Sequence, residues 1–194
     1  AAWRPELYAA FGRLMGRMHT VTARYVPADP TWKRPEWDDA TMDYPERYLP
    51  ASEAIAKSRY ADLCAHARTL PRDRGVYGLI HFDVHGGNAH VDDAGTLTIF
   101  DFDDCTYSWY VNDLAIFLDH LVSGAEDRVA RAREVLPPLL AGYRQEHALE
   151  ARWLREMPAF LKMGEIFYYA VLHRDADPGD ADGLAQRSAL KERI

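Results

Sequence analysis

The 194-residue chain has only two cysteines, Cys64 and Cys105, too few for a disulfide framework and without metal-site spacing. Reduced thiols in a cytoplasmic protein are the expectation. The longest unbroken apolar run, Ile166 to Leu172, is far short of a membrane span. No apolar stretch follows Arg4 and Glu6, so a signal peptide is not expected either. Basic excess is missing too: 23 Lys and Arg stand against 30 Asp and Glu, a formal net charge of −7. Proteins that depend on phosphate-backbone attraction carry a basic face, so nucleic acid is not an expected partner. A neutral or cationic small molecule fits the charge better. No initiator Met precedes Ala1-Ala2-Trp3, which points to a piece of a longer chain.

What is present suffices for a core. The chain is 48% hydrophobic and 12% aromatic, and its length suits one domain over 1–194. Pro5 opens an amphipathic helix with Leu7, Phe11, Leu14 and Met18 on one stripe, ending near His19. Residues 27–50 are broken by five prolines, with Trp32, Trp37, Tyr44 and Tyr48 set among Glu36, Asp38, Asp39 and Asp43. Ser52 is read as the cap of a second helix. Val76 to Ile80 is a short strand, followed by a hairpin: Asn88 to Val91, a turn at Asp92–Gly95, and Thr96 to Phe100. Asn112 is read as the cap of the next helix. Glu126–Leu136 and Leu139–His147 are read as two helices separated by Pro137-Pro138. Pro158 starts or kinks a strongly apolar helix through His173, and a turn at 177–180 precedes a terminal helix. The whole reads as a mainly helical α+β fold with a small central hairpin.

That hairpin carries the chemistry. Its strands run about 5 Å apart, so Asn88 and Asp101 are folded back toward each other at one end. An amide oxygen and a carboxylate there suit a hard divalent ion such as Mg²⁺, which keeps waters and phosphate oxygens as its other ligands. Asp83 is left nearby to accept a hydroxyl proton. This is the arrangement phosphoryl transfer needs: charge neutralisation at the phosphates and orientation of an attacking alcohol. The pattern His-x-Asp-x-x-x-x-Asn is expected by chance only about 0.008 times in a chain of this composition, and it appears here at 81–88.

His81-x-Asp83-x-His85-x-x-Asn88, followed by Ile99-Phe100-Asp101-Phe102-Asp103, resembles the aminoglycoside and choline phosphotransferase family. Met18-His19 at the end of the first helix, Asp113-Leu114-Ala115 and the aromatic penultimate helix extend the likeness. The resemblance implies the C-terminal lobe of a protein-kinase-like fold. It implies Asp83 as catalytic base, Asn88 and Asp101 as Mg²⁺ ligands, Asp103 as a second acidic group near the metal, and Asp113 as an anchor for the loop. ATP would be the phosphate donor. Phe82 stands where the family commonly has Gly, and Gly86 where it commonly has Pro or another residue. No Gly-x-Gly-x-x-Gly occurs, and Lys33, Lys57, Lys162 and Lys191 are not on plausible strands. The N-terminal nucleotide-gripping lobe is therefore expected to be missing, leaving this piece alone inactive or nearly so.

Other readings stay open. Asp103 fits a solvated turn as well as a metal-proximal acid, and Asp104 an exposed position. His81 is expected to bond loop backbone, His85 to hold the loop or approach phosphate, and His90 to face solvent. His81, Asp83 and His85 alternate, which is also compatible with a metal-dependent hydrolase, and a non-catalytic, kinase-derived binding module is the other alternative. Glu36, Trp37 and Asp38 could receive an amine under an aromatic cover, or belong to a plain connection whose tryptophans cap the core. Glu165 and Tyr169 are further candidate contacts for a small hydroxylated, possibly cationic acceptor. Membrane attachment is not expected.

Overall fold

Pro5 occupies the first turn of helix α1 (Pro5–Thr22), where its missing N–H costs nothing. In the computed structural model, which describes residues 3–177 and 179–194, α1 runs three residues past His19. Its buried stripe is Tyr8, Phe11, Met15 and His19, one residue round from the predicted Leu7, Leu14 and Met18. The shift follows from glycine. Gly12 and Gly16 place α1 directly against the backbone of α5 (Arg128–Tyr143), and Gly142 does the same from the other side. A Cβ at Gly12 would strike the Leu139 carbonyl, and one at Gly142 the Ala9 carbonyl.

The same packing overturns the two-helix reading of 126–147. α5 is one helix with Pro137 and Pro138 inside it. Each proline costs about 3 kcal/mol in a helix interior. Val135, Leu139, Leu140 and Tyr143 are buried along the helix, at about 1.5–3 kcal/mol per side chain. Burial outweighs the break.

Strand β1 (Tyr77–Ile80) pairs antiparallel with β4 (Thr106–Trp109), Tyr77 opposite Trp109. β2 (Ala89–Val91) pairs with β3 (Leu97–Ile99), Ala89 opposite Ile99, as the hairpin reading required. Its turn closes through Asp92 N–H to Thr96 O at 3.1 Å, with Gly95 at φ +83°, where an L side chain would be strained. β4 passes straight into α4 (Tyr110–Val122). Asn112 is thus not a cap. It lies inside α4, buried, with its Nδ2 donating to Ser108 Oγ at 3.3 Å.

Backbone contacts resolve two compact units where the sequence reading took 1–194 as one. The first is Ala1–Arg34 with Pro71–Met157, and the second is Pro35–Leu70 with Pro158–Ile194. The second holds α2 (Tyr44–Tyr48), α3 (Ala54–Ala67) and α7 (Ala181–Arg193). Asp43 caps α2 and Asp180 caps α7. Ser52 caps nothing: it sits in a short 3₁₀ turn ahead of α3. The division falls inside α6 (Ala151–Arg174), which begins seven residues before Pro158 and carries that proline internally. Pro178, in the predicted turn, lies outside the described residues. Cys64 and Cys105 are free and buried, and burial pushes the Cys64 thiol up to about 11. Among the described residues, no helix is long and apolar enough to cross a membrane.

Candidate functional site

The loop after β1 is built around Asp113. This carboxylate, fully buried on α4, accepts the backbone N–H of His81 at 2.9 Å and of Phe82 at 2.8 Å. Its Oδ2 also meets His19 Nε2 at 2.9 Å, and His19 Nδ1 meets the Tyr143 hydroxyl at 2.8 Å. Burial, then the Asp113 charge, holds the Tyr143 phenol well above its ordinary range, so it stays a neutral hydrogen-bonding group. Phe82 stands at φ +67°, a left-handed conformation that glycine adopts freely and a bulky residue does not. The bonds that Asp113 accepts from the His81 N–H and from the Phe82 N–H itself hold the backbone there. Strain of this kind persists where the surroundings over-determine it, commonly at functional loops.

Within the loop, His81 Nε2 meets the Phe100 carbonyl at 3.0 Å and its Nδ1 accepts the Asp83 N–H at 3.3 Å. The structural role expected of His81 is what the geometry shows. Asn88 Nδ2 donates to Asp83 Oδ2 at 2.7 Å and to the Asp83 carbonyl at 3.0 Å. The Asn88 carbonyl accepts the Phe100 N–H at 3.1 Å, extending the β2–β3 ladder so that Asp101 follows one residue later. Asp101 is itself left-handed, at φ +65°. Asp83 and Asn88 are therefore brought into direct contact, and the hairpin carries Asp101 to the same end. With Nδ2 spent on Asp83, Asn88 has its Oδ1 to offer a cation, and Asp101 adds a carboxylate. That donor set, hard oxygens on one end of a hairpin, fits a hard divalent ion.

Asp101, Phe102, Asp103 and Asp104 are all exposed. Arg34 crosses under this run: its Nε donates to the Cys105 carbonyl at 3.0 Å, and its terminal nitrogen to the Asp103 carbonyl. Arg34 went unnoticed in the sequence because it sits in a stretch read for its acids and rings. His120 was missed as well. It lies on α4, and its ring stacks on His85 at 4.6 Å between centroids. Desolvation of the ring, then the neighbouring His85, lowers its pKa below the ordinary 6.5, although the residue keeps an exposed edge. No linear spacing signals such a pair. His90 is exposed as expected. Trp3 packs over Gly86, within an aromatic cluster with Tyr8, Phe11 and Phe117.

The five candidate acceptor contacts all fall in the second unit. Trp37, Glu165 and Tyr169 are buried there, and burial of Trp37 agrees with the alternative in which the tryptophans cap the core. Glu165 is spent on cations, Lys162 Nζ at 2.6 Å and Arg193 Nε at 3.2 Å. The Tyr169 ring meets His173 edge-on at 4.7 Å. Asp38 lies 3.6 Å from Arg68, whose guanidinium is over the Trp37 ring at 5.8 Å. The Glu36 carbonyl closes a turn by accepting the Asp39 N–H at 3.0 Å.

The chain is 34% identical over 179 residues to amicoumacin kinase of Bacillus subtilis (strain 168), covering 90% of this chain and 53% of that protein. Amicoumacin kinase hAmiN, solved in complex with AMP-PNP, Ca²⁺ and Ami, superposes with a TM-score of 0.90 at 34% identity. The match covers 98% of this chain and 59% of that one. A microcompartment-associated aminopropanol kinase shares the fold, with a TM-score of 0.74, 22% identity and coverage of 97% and 60%. So does a spectinomycin phosphotransferase, with a TM-score of 0.61, 16% identity and coverage of 99% and 62%. The chain thus spans between half and two thirds of the length of these relatives. The sequence model of the phosphotransferase enzyme family (APH) matches residues 1–149, and the chain belongs to that family.

Proposed function

We propose that the protein carrying this chain transfers the γ-phosphoryl group of ATP to a hydroxyl of a small molecule, with Asp83 as the base. The acceptor's O–H proton passes to the Asp83 carboxylate, its oxygen bonds the γ-phosphorus, and the bond from that phosphorus to the bridging oxygen breaks to release ADP. Asn88 and Asp101 would hold Mg²⁺, with Asp103 an acidic neighbour. When bound, the metal neutralises charge on the phosphates. One observation carries the reading: Asn88 gives its amide N–H to Asp83 at 2.7 Å while its backbone carries the strand that delivers Asp101. The residues proposed as base and metal ligands thus lie on one continuous stretch of loop and hairpin. The ligands in the relatives' complexes, AMP-PNP with Ca²⁺ and ADP with spectinomycin, support a nucleotide, a divalent ion and a small acceptor.

The reading includes the second, nucleotide-gripping lobe expected from the sequence as part of the same protein. The 53% and 59% coverage of the amicoumacin kinases supports it. A metal-dependent hydrolase built on His81, Asp83 and His85 is disfavoured. Both His81 nitrogens and His85 Nδ1 are already hydrogen-bonded to the loop, and no cluster of three His, Cys, Asp or Glu side chains suited to a metal occurs among the described residues.

The test is ADP release by the full-length protein across hydroxylated amines and sugars, with Asp83→Asn beside wild type. Turnover by wild type and a loss of about 10²–10⁴-fold in the variant are expected. A variant with near-wild-type kcat removes Asp83 from its role.

A further inference from the structure

Two imidazoles beside the base have no part in the reaction as described. His85 Nδ1 accepts the Gly87 N–H at 2.9 Å, so in the neutral ring the proton resides on Nε2. Nε2 lies 3.5 Å from Asp83 Oδ2. That is the oxygen to which Asn88 already donates. The His85 ring is confined on two sides. His120 stacks on one face at 24° between planes, and Gly87 leaves the space for its edge, since a Cβ there would stand 2.6 Å from His85 Cε1.

We propose that His85 is a positioning residue for the transfer. Held in the Nε2–H tautomer by Gly87 and braced by His120, it joins Asn88 in occupying Oδ2 of Asp83. Oδ1 is then the oxygen presented to the acceptor hydroxyl. A carboxylate rotates about its last bond at little cost, and two donors on one oxygen fix which lone pairs face the reaction. The 3.5 Å separation is long for a hydrogen bond, and such contacts tighten when substrate closes a site. This inference rests on Asp83 as base.

Two substitutions in the full-length protein separate positioning from loop support. In His85→Asn the side-chain carbonyl stands near the place of Nδ1 and keeps only the Gly87 bond. In His85→Gln the amide reaches toward Asp83 and restores a donor there. The expected result for His85→Asn is a kcat lower by about 10–100-fold. Its nucleotide KM is expected to stay within about twofold of wild type. His85→Gln should recover most of the loss. Equal losses in both variants, or wild-type kcat in His85→Asn, overturn the proposal. Nitrogen-15 NMR of the His85 ring gives a readout independent of turnover and of either variant's folding. The Nε2–H tautomer is expected in the wild-type protein, and the Nδ1–H tautomer refutes the geometry. If wild type transfers no phosphate to any acceptor, the base assignment fails and this inference with it. If Asp83→Asn abolishes turnover while His85→Asn keeps the wild-type kcat, only the inference fails.

Discussion

Asp83 and Asn88 sit on a loop tied to the buried Asp113 and His19, whereas Asp101 and Asp103 lie on an exposed run, with Arg34 bonded to the Asp103 and Cys105 carbonyls and the Phe102 ring against His81. The difference fits the roles proposed for the two halves. A base must be preorganised within a few tenths of an ångström before the acceptor arrives, because misplacement costs rate directly. Metal-binding carboxylates need an open side, since the ion must enter with its phosphates and waters. On the proposed roles, rigidity is invested where the protein acts alone and withheld where a ligand would complete the site.

The largest test of that contrast is Asp113→Ala. It strands two backbone N–H groups and His19 Nε2 in a buried setting, at about 1–3 kcal/mol for each unsatisfied group. Urea denaturation should show a loss of about 3 kcal/mol or more, and a loss under about 1 kcal/mol would mean the loop is held by other contacts. Arg34→Ala should act on the opposite half and cost only about 1 kcal/mol. Amide exchange should quicken over 101–105 and stay unchanged over 81–88; equal quickening in both would erase the distinction.

The smallest effect is with pH. Burial first, then His19, lowers the pKa of His147 below the ordinary 6.5, and ring desolvation lowers that of His120. The unfolded chain then binds protons that the folded one refuses, so stability is full above about pH 6.5 and declines as pH falls through that value. His120→Phe keeps a stacked ring and should flatten the decline in thermal midpoint. An unchanged slope would place the acid sensitivity elsewhere.

The proximity of the candidate site residues was written in short-range spacing. Asp83, Asn88 and Asp101 are linked by one loop and one hairpin, and such contacts follow from local geometry. Pairing of β1 with β4 was not visible, because 26 to 32 residues separate the partners in the ladder. The continuity of α5 was hidden by a strong local rule against Pro137-Pro138 that burial against α1 overrides. His120 and Arg34 reach the site only through tertiary packing. For Trp37, Glu165 and Tyr169 the residue type suggested chemistry, while burial, and the pairing of Glu165 with Lys162 and Arg193, could not be read from the sequence.

The most direct check on the central claim is where a paramagnetic ion settles. Mn²⁺ with a non-hydrolysable ATP analogue, titrated into the full-length protein, should broaden the Asn88 side-chain amide and the Asp101 signals first, and Asp101→Asn should abolish that broadening. Bound Mn²⁺ that leaves the Asn88 amide sharp and broadens signals elsewhere would contradict a metal site at the end of the hairpin.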